Sequence, residues 1–296
     1  MALCFHSVMS AAGDEDAASR LFELANAPAV AFRTAGGAEV SIRQDPANST
    51  TGGCVWETAY LLAQWVEREI ESGRGRWGRR WKAHLCGTGP AVRCLEVGAG
   101  CGLLGVALAH AGGDVTLTET ADAMRNLEWN VEHNPLPPTC RGSVAARRLH
   151  WGDPADIQAA VSNGPFDLLL GTDVIYCASL VEPLLQTLQQ CMHTHSTCWL
   201  CCQVRCPDSH EAMMRLAPKY FRTVNTRDLS GFMYAEELEC FLLELRLPLN
   251  AVEKGVDAVR EKKRSSPREK AEQRGRARKR TRREDGKEAA WGAIKT

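Results

Sequence analysis

The residues with the clearest chemical capacity lie in one short run, LEVGAGCGLLG, from Leu95 to Gly105. An apolar stretch leads into Gly98-Ala99-Gly100-Cys101-Gly102 and then into a helical pattern. Glycines permit a sharp turn and let a ligand approach the backbone without meeting a Cβ. The helix N-terminus beyond offers unpaired N–H groups and the positive end of a dipole. A dinucleotide-binding turn has the spacing GxGxxG. Counted from Gly98, its third glycine would fall at Leu103. The observed GxGxG therefore departs from a pyrophosphate loop and fits one that follows the amino-acid and ribose portions of S-adenosylmethionine. Glu119 ends the next apolar stretch, DVTLTE. It lies about 20 residues after the glycines, where a carboxylate accepts hydrogen bonds from both ribose hydroxyls.

A second group sits in FDLLLGTDVIY, where Thr172, Asp173 and Tyr176 follow a run that reads as a buried strand. Open α/β sheets bind ligands at the C-terminal ends of their strands. A carboxylate among apolar neighbours is costly unless it faces a cleft. Trp151, in HWGD, directly follows another strand and can pack on an adenine ring. Trp56 opens a helix after a Gly-Gly turn and can close over a cofactor. Cys198, Cys201, Cys202 and Cys206 invite a zinc site, but TCWLCCQV reads as a strand, in which cysteine behaves as a small apolar residue. No metal site is expected.

These residues need a scaffold, and the pattern supplies one. AVAFRTAGGAEVSIRQ, Ala29–Gln44, reads as a hairpin around Gly36-Gly37. Trp56, Tyr60, Leu61, Ala63, Trp65, Val66 and Ile70 form a helical stripe that Gly73 ends. Residues 73–90 read as a Gly/Arg-rich loop carrying two tryptophans. From Ala91 onward strands and helices alternate, which implies parallel pairing with helices on both faces. The last two strands, FRTVNTR and ELECFLLELRL, have no helical segment between them and predict an antiparallel hairpin at one edge. The expected fold is α/β, a Rossmann-like, mostly parallel seven-strand sheet.

Composition sets the boundaries. The 296 residues are 44% hydrophobic, enough for a real core. No apolar run approaches the roughly 20 residues of a membrane span. The N-terminus lacks a basic n-region and turns acidic, unlike a secretory signal. Thirteen cysteines, an odd number, suit reduced thiols. Residues 1–247 hold 20 Lys+Arg against 28 Asp+Glu, net −8, and residues 248–296 hold 16 against 8, net +8. The expected organisation is a poorly ordered segment over 1–28, a domain over 29–247 and a disordered basic tail over 248–296. RGRARKRTRR, Arg274–Arg283, is of a kind that serves nuclear import or a weak nucleic-acid contact. A cytoplasmic or nuclear monomer is expected.

Taken together, the hairpin, Gly52 to Trp56, LEVGAGCGLLG, TLTE, NLEWNVEHN, HWGD and GTDVIY resemble the seven-strand methyltransferases that modify lysines on non-histone proteins. The resemblance covers Ala29 to Leu247, and Asp173-x-x-Tyr176 is its most distinctive piece. It implies that Trp56, Gly98, Ala99, Gly100, Glu119, Trp151 and Thr172 contact S-adenosylmethionine. It implies that Asp173 and Tyr176 face the amine of a lysine in a protein substrate. The competing readings are a nucleic-acid or small-molecule methyltransferase and a non-catalytic cofactor-binding module. GTDVIY lacks the Pro-Pro-Tyr type of element often used for base methylation, and the intact glycines and acids speak against degeneration. A dehydrogenase is disfavoured by Leu103 and the edge hairpin.

Overall fold

The structure, a computed structural model, describes residues 2–4, 17–46, 51–229, 231–232 and 235–248. Apart from residue 248, the expected disordered basic tail lies outside the described residues. A small sheet comes first, in the order β1 (Leu3–Cys4), β2 (Ala29–Arg33), β3 (Glu39–Arg43). The expected hairpin is β2–β3, antiparallel with Val30 opposite Ile42. The expectation for residues 1–28 needs correcting where they are described. Ala17–Asn26 form helix α1, which buries Leu24, and Leu3–Cys4 pair in parallel with β2. Gln44 ties α1 down, its Nε2 donating to the Leu24 and Ala27 carbonyls at 2.7 and 2.8 Å.

Helix α2 (Glu57–Ser72) ends as its sequence predicts, with Gly73 in the left-handed region and its N–H on the Ile70 carbonyl. The following segment is not a loop. Gly75–Leu85 form helix α3, because Trp77, Trp81 and His84 recur at helical spacing and are buried together. Trp81 is fully enclosed and donates its indole N–H to the Ala111 carbonyl at 2.8 Å. The arginines between are good helix formers and stay outside the stripe. Arg80 reaches the buried Asp167 carboxylate at 2.6 Å.

The main sheet is built from β4 (Arg93–Val97), β5 (Asp114–Glu119), β6 (Ser143–Arg148), β7 (Phe166–Thr172), β8 (Met192–Gln203), β9 (Thr223–Arg227) and β10 (Cys240–Arg246). Its order is β6-β5-β4-β7-β8-β10-β9. Strands β4 to β8 run parallel, and β10 is antiparallel to both β8 and β9. The helices between them are α4 (Leu103–His110), α5 (Ala121–Glu132), α6 (Pro154–Ser162), α7 (Ala178–Cys191) and α8 (Pro207–Tyr220). Alternation divides the core by face. Leu168, Leu170, Trp199 and Cys201 pack into one cluster, and Leu169, Cys198, Leu200 and Cys202 into the other. The central strands therefore read as unbroken apolar runs. The same alternation sends Cys201 to the opposite face from Cys198 and Cys202.

Helix α4 packs on β4 and β5 so closely that Gly105 has no room for a side chain. A Cβ there would collide with Leu117 Cδ2 and lie 2.6 Å from Glu96 Oε2. Gly105→Ala is expected to cost about 1–3 kcal/mol, lowering the melting temperature by roughly 3–10 °C in a thermal scan. Beneath that helix Glu96 is fully enclosed, and burial pushes its carboxyl up to about 8, with Glu119 adding to the rise and the Gly105 N–H opposing it. The folded state favours its protonated form. Its contribution to stability is therefore fully present below the ordinary value of 4.5 and is lost as pH rises through about 8. Urea unfolding between about pH 5 and about pH 8 should show wild-type stability declining more steeply than that of Glu96→Gln. Equal slopes would contradict the assignment.

Candidate active site

Strand β4 ends at Val97 and the backbone swings away through Gly98–Gly102 into α4. Gly98 and Gly100 have φ of 63° and 54°, left-handed values that favour glycine. A Cβ on Gly98 would sit 2.9 Å from Trp151 Cζ2 and 3.1 Å from Val174 Cγ1. A Cβ on Gly100 would lie 3.6 Å from the backbone of Gly52. The sheet order explains the location. The chain lays β5 and β6 on one side of β4, then returns to lay β7 and β8 on the other. At such a reversal the loops diverge and open a crevice.

A cavity of about 400 Å³ fills that crevice, a size suited to a small-molecule ligand. Trp56, Gly98, Ala99, Gly100, Glu119, Trp151, Thr172, Asp173 and Tyr176 all line it. The sequence had singled out each of them from segments far apart in the chain. At the β5 side, Glu119 Oε1 accepts from the Gly100 N–H at 3.3 Å, and Oε2 accepts from the Thr120 N–H and hydroxyl. The carboxylate is thus held across the glycine turn. Trp151 forms an aromatic wall against Gly98, with Tyr176 tilted beside it at 6.5 Å between ring centroids. A carboxylate, a floor of bare backbone and an aromatic wall fit the ribose, amino-acid and adenine portions of S-adenosylmethionine.

The segment before α2 lies over this floor as a strap. A Cβ on Gly52 would be 3.4 Å from Glu119 Oε1 and 3.5 Å from Gly100 Cα. The Cys101 thiol also donates to the Gly52 carbonyl at 3.4 Å. The strap is fixed upstream by three asparagines of NLEWNVEHN. Asn134 and Asn130 accept from the N–H groups of Ser41 and Arg43 at 2.9 and 2.8 Å. Their amides donate back to the carbonyls of the same residues at 2.9 and 3.0 Å. Asn126 accepts from Arg43 Nε at 2.8 Å, and Asn130 also donates to the Cys101 carbonyl at 2.9 Å. The free edge of β3 is thereby satisfied by side chains rather than by another strand.

At the β7 side, Asp173 is a buried residue, 8% exposed, with φ of 51°. Its N–H donates to the Cys201 carbonyl at 3.0 Å, and its Oδ1 accepts from the Gln203 N–H at 3.0 Å. Its Oδ2 pairs with Arg205 Nη2 at 2.8 Å. The same nitrogen binds Glu57 Oε1, and the guanidinium lies over the Trp56 ring, 4.7 Å from its centroid. Burial pushes the Glu57 carboxyl up, and Arg205 partly offsets this. Burial opposes the charge on Arg205, but the hydrogen bond and attraction from Asp173, with Glu57, outweigh it and raise its pKa.

Sequence reasoning missed Glu57 and Arg205, and it named Gly52 and the asparagines as motif elements without their roles. Arg205 had a usable signal, since it follows the C-terminal end of β8 as Asp173 follows that of β7. Glu57 had none beyond its adjacency to Trp56.

A family model described as lysine methyltransferase matches residues 35–220. The chain is 33% identical over 166 residues to Protein N-lysine methyltransferase METTL21A of Mus musculus, covering 56% of this chain and 67% of that protein. It is 32% identical over 168 residues to EEF1A lysine methyltransferase 3 of Mus musculus, covering 56% of this chain and 62% of that protein. The family match runs from the hairpin turn to the end of α8 and takes in the glycine turn, Glu119 and the Asp173–Tyr176 segment, so the chain belongs to the lysine methyltransferase family.

Proposed function

We propose that this protein transfers a methyl group from S-adenosylmethionine to the side-chain amine of a lysine in a protein substrate. The observation that carries the reading is the meeting of Glu119, the Gly98–Gly100 turn and Asp173 in one cavity at the sheet reversal. The donor supplies a methyl group already activated by its sulfonium, so the protein's main task is alignment. Glu119 is placed to accept from the ribose hydroxyls, and Trp151 to pack against the adenine. Lysine arrives as an ammonium and must lose a proton before its lone pair can attack the methyl carbon in line with the C–S bond. Tyr176 is 37% exposed at the cavity mouth, where its ring offers a cation–π surface to the entering ammonium. The apolar part of the lining favours the neutral amine, and the proton passes to solvent at the mouth. Asp173 presents its carboxylate beside the site, fixed by Gln203 and Arg205.

Labelled S-adenosylmethionine offered with total protein and with total RNA in separate reactions tests the acceptor class. Label is expected in protein, on lysine by mass spectrometry; transfer to RNA alone would replace this reading. Calorimetry should find Glu119→Gln roughly 10–100-fold weaker for S-adenosylhomocysteine, the loss of a charged hydrogen-bond acceptor. Asp173→Asn should lower transfer by about 100-fold or more while leaving that affinity within a few-fold. The roles of these residues fail if Glu119→Gln binds normally or Asp173→Asn transfers normally.

A further inference from the structure

Arg205 carries a charge at the cavity whose effect on the acceptor the proposed function leaves unassigned. One guanidinium nitrogen joins two carboxylates brought from separate elements, Glu57 at the start of α2 and Asp173 after β7. Both are buried, with side chains 6% and 5% exposed, while Arg205 is 31% exposed; Asp173 and Arg205 both line the cavity. Two acids against one base leave the group one formal negative charge in excess. Other titratable groups sense the same charges. The thiols of Cys54 before α2, Cys201 and Cys202 on β8 and Cys240 on β10 are all pushed up by burial and stay neutral. Tyr176 completes the wall. Glu119 and His150 line the same cavity from the β5 and β6 side, where Glu119 is held against the glycine turn.

That balance bears directly on an amine acceptor. A nearby negative charge draws the ammonium in but also stabilises its protonated form. Two unscreened carboxylates would bind the ammonium and resist its deprotonation. A neutral group would release the proton easily but attract the ammonium poorly. One net charge lies between these extremes. We propose that Arg205 is a positioning residue that fixes the Asp173 carboxylate and cancels one of the two acid charges, so that the entering lysine meets a single oriented negative charge. This inference rests on the lysine reading. Arg205 acts through Asp173 and Glu57, and its cation sets the pH at which the bound amine loses its proton.

The test is the pH profile of label transfer from S-adenosylmethionine into total soluble protein. With S-adenosylmethionine and extract both saturating, so that the rate follows kcat, the acid limb reports the amine proton lost within the bound complex. Arg205→Gln should lower the rate and move that limb upward by roughly one pH unit. Glu57→Gln removes a negative charge and should move it downward. Arg205→Lys keeps the charge but loses the planar fork, so the limb should stay while the rate falls. Affinity for S-adenosylhomocysteine should stay within a few-fold in all three. If Arg205→Gln fails to fold, the opposite behaviour of Glu57→Gln and Arg205→Lys still decides. A rate lowered equally at every pH in Arg205→Gln, or limbs that coincide in all variants, would overturn the proposal. So would a tenfold or greater loss of S-adenosylhomocysteine affinity in Arg205→Gln, which would place Arg205 in the donor site. If wild-type protein labels RNA but no protein, the lysine reading fails first and takes this inference with it.

Discussion

The molecule turns on a place where there is no room for a single methyl group. At Gly98 the Trp151 ring and Val174 come within 2.9 and 3.1 Å of where a side chain would begin. At Gly100 the turn lies against the backbone of Gly52, which the sequence places nearly fifty residues earlier. Four separate segments share this contact, and each contributes a wall or a functional group to the cavity. The close approach sets how far Trp151 leans inward and how low the strap lies. Interiors are packed too densely for such a contact to be relaxed by small shifts, so the shape of the site is inherited from bare backbone rather than from adaptable side chains.

The opposite side of the cavity is organised by charge. Burying a carboxylate is unfavourable, and a pair joined by one cation is tolerable only when the remaining lone pairs are also engaged. Asp173 meets that condition through the Gln203 amide. The ordered group does not make the fold more stable than an apolar replacement would. Its presence beside a ligand cavity is better understood as functional. The contrast with Glu244 is instructive. That buried acid is paired with Arg227 and Arg246 and accepts from the Trp199 indole, far along the sheet, and it lines no part of the cavity.

Much of this was legible in the chain. From Arg93 to Tyr220 the alternation of apolar runs and amphipathic stretches gave each element to within a few residues. The glycine spacing, Glu119 and Asp173 announced themselves because each sits at a strand end with no structural need for its type. Helix α3 was hidden by its composition, since its glycines and arginines resemble a loop until Trp77 and Trp81 are seen to share a face. Helix α1 was masked by the acidic stretch before it. The edge hairpin was anticipated, but not that the final strand would slot inside its partner. The reason is burial. β10 encloses Leu242, Leu243 and Leu245, whereas TVNTR is polar and suits the rim. Arg205 and the roles of the asparagines escaped notice because their meaning lies in partners distant along the chain, which local pattern does not reveal.

The asparagine ladder has a bearing on how the strap is placed. An apolar seam between the hairpin and α5 would tolerate sliding, since oily surfaces interlock loosely and without direction. Paired amides do not. A shift of β3 by one residue would turn its outward N–H and C=O groups the other way and leave all three asparagines without their mates. The hairpin therefore has one seat, with no neighbouring seat of similar energy. Because Asn130 also grips the Cys101 carbonyl, that seat is referenced to the ligand-binding turn itself. The roof of the cavity is in this way measured from its floor.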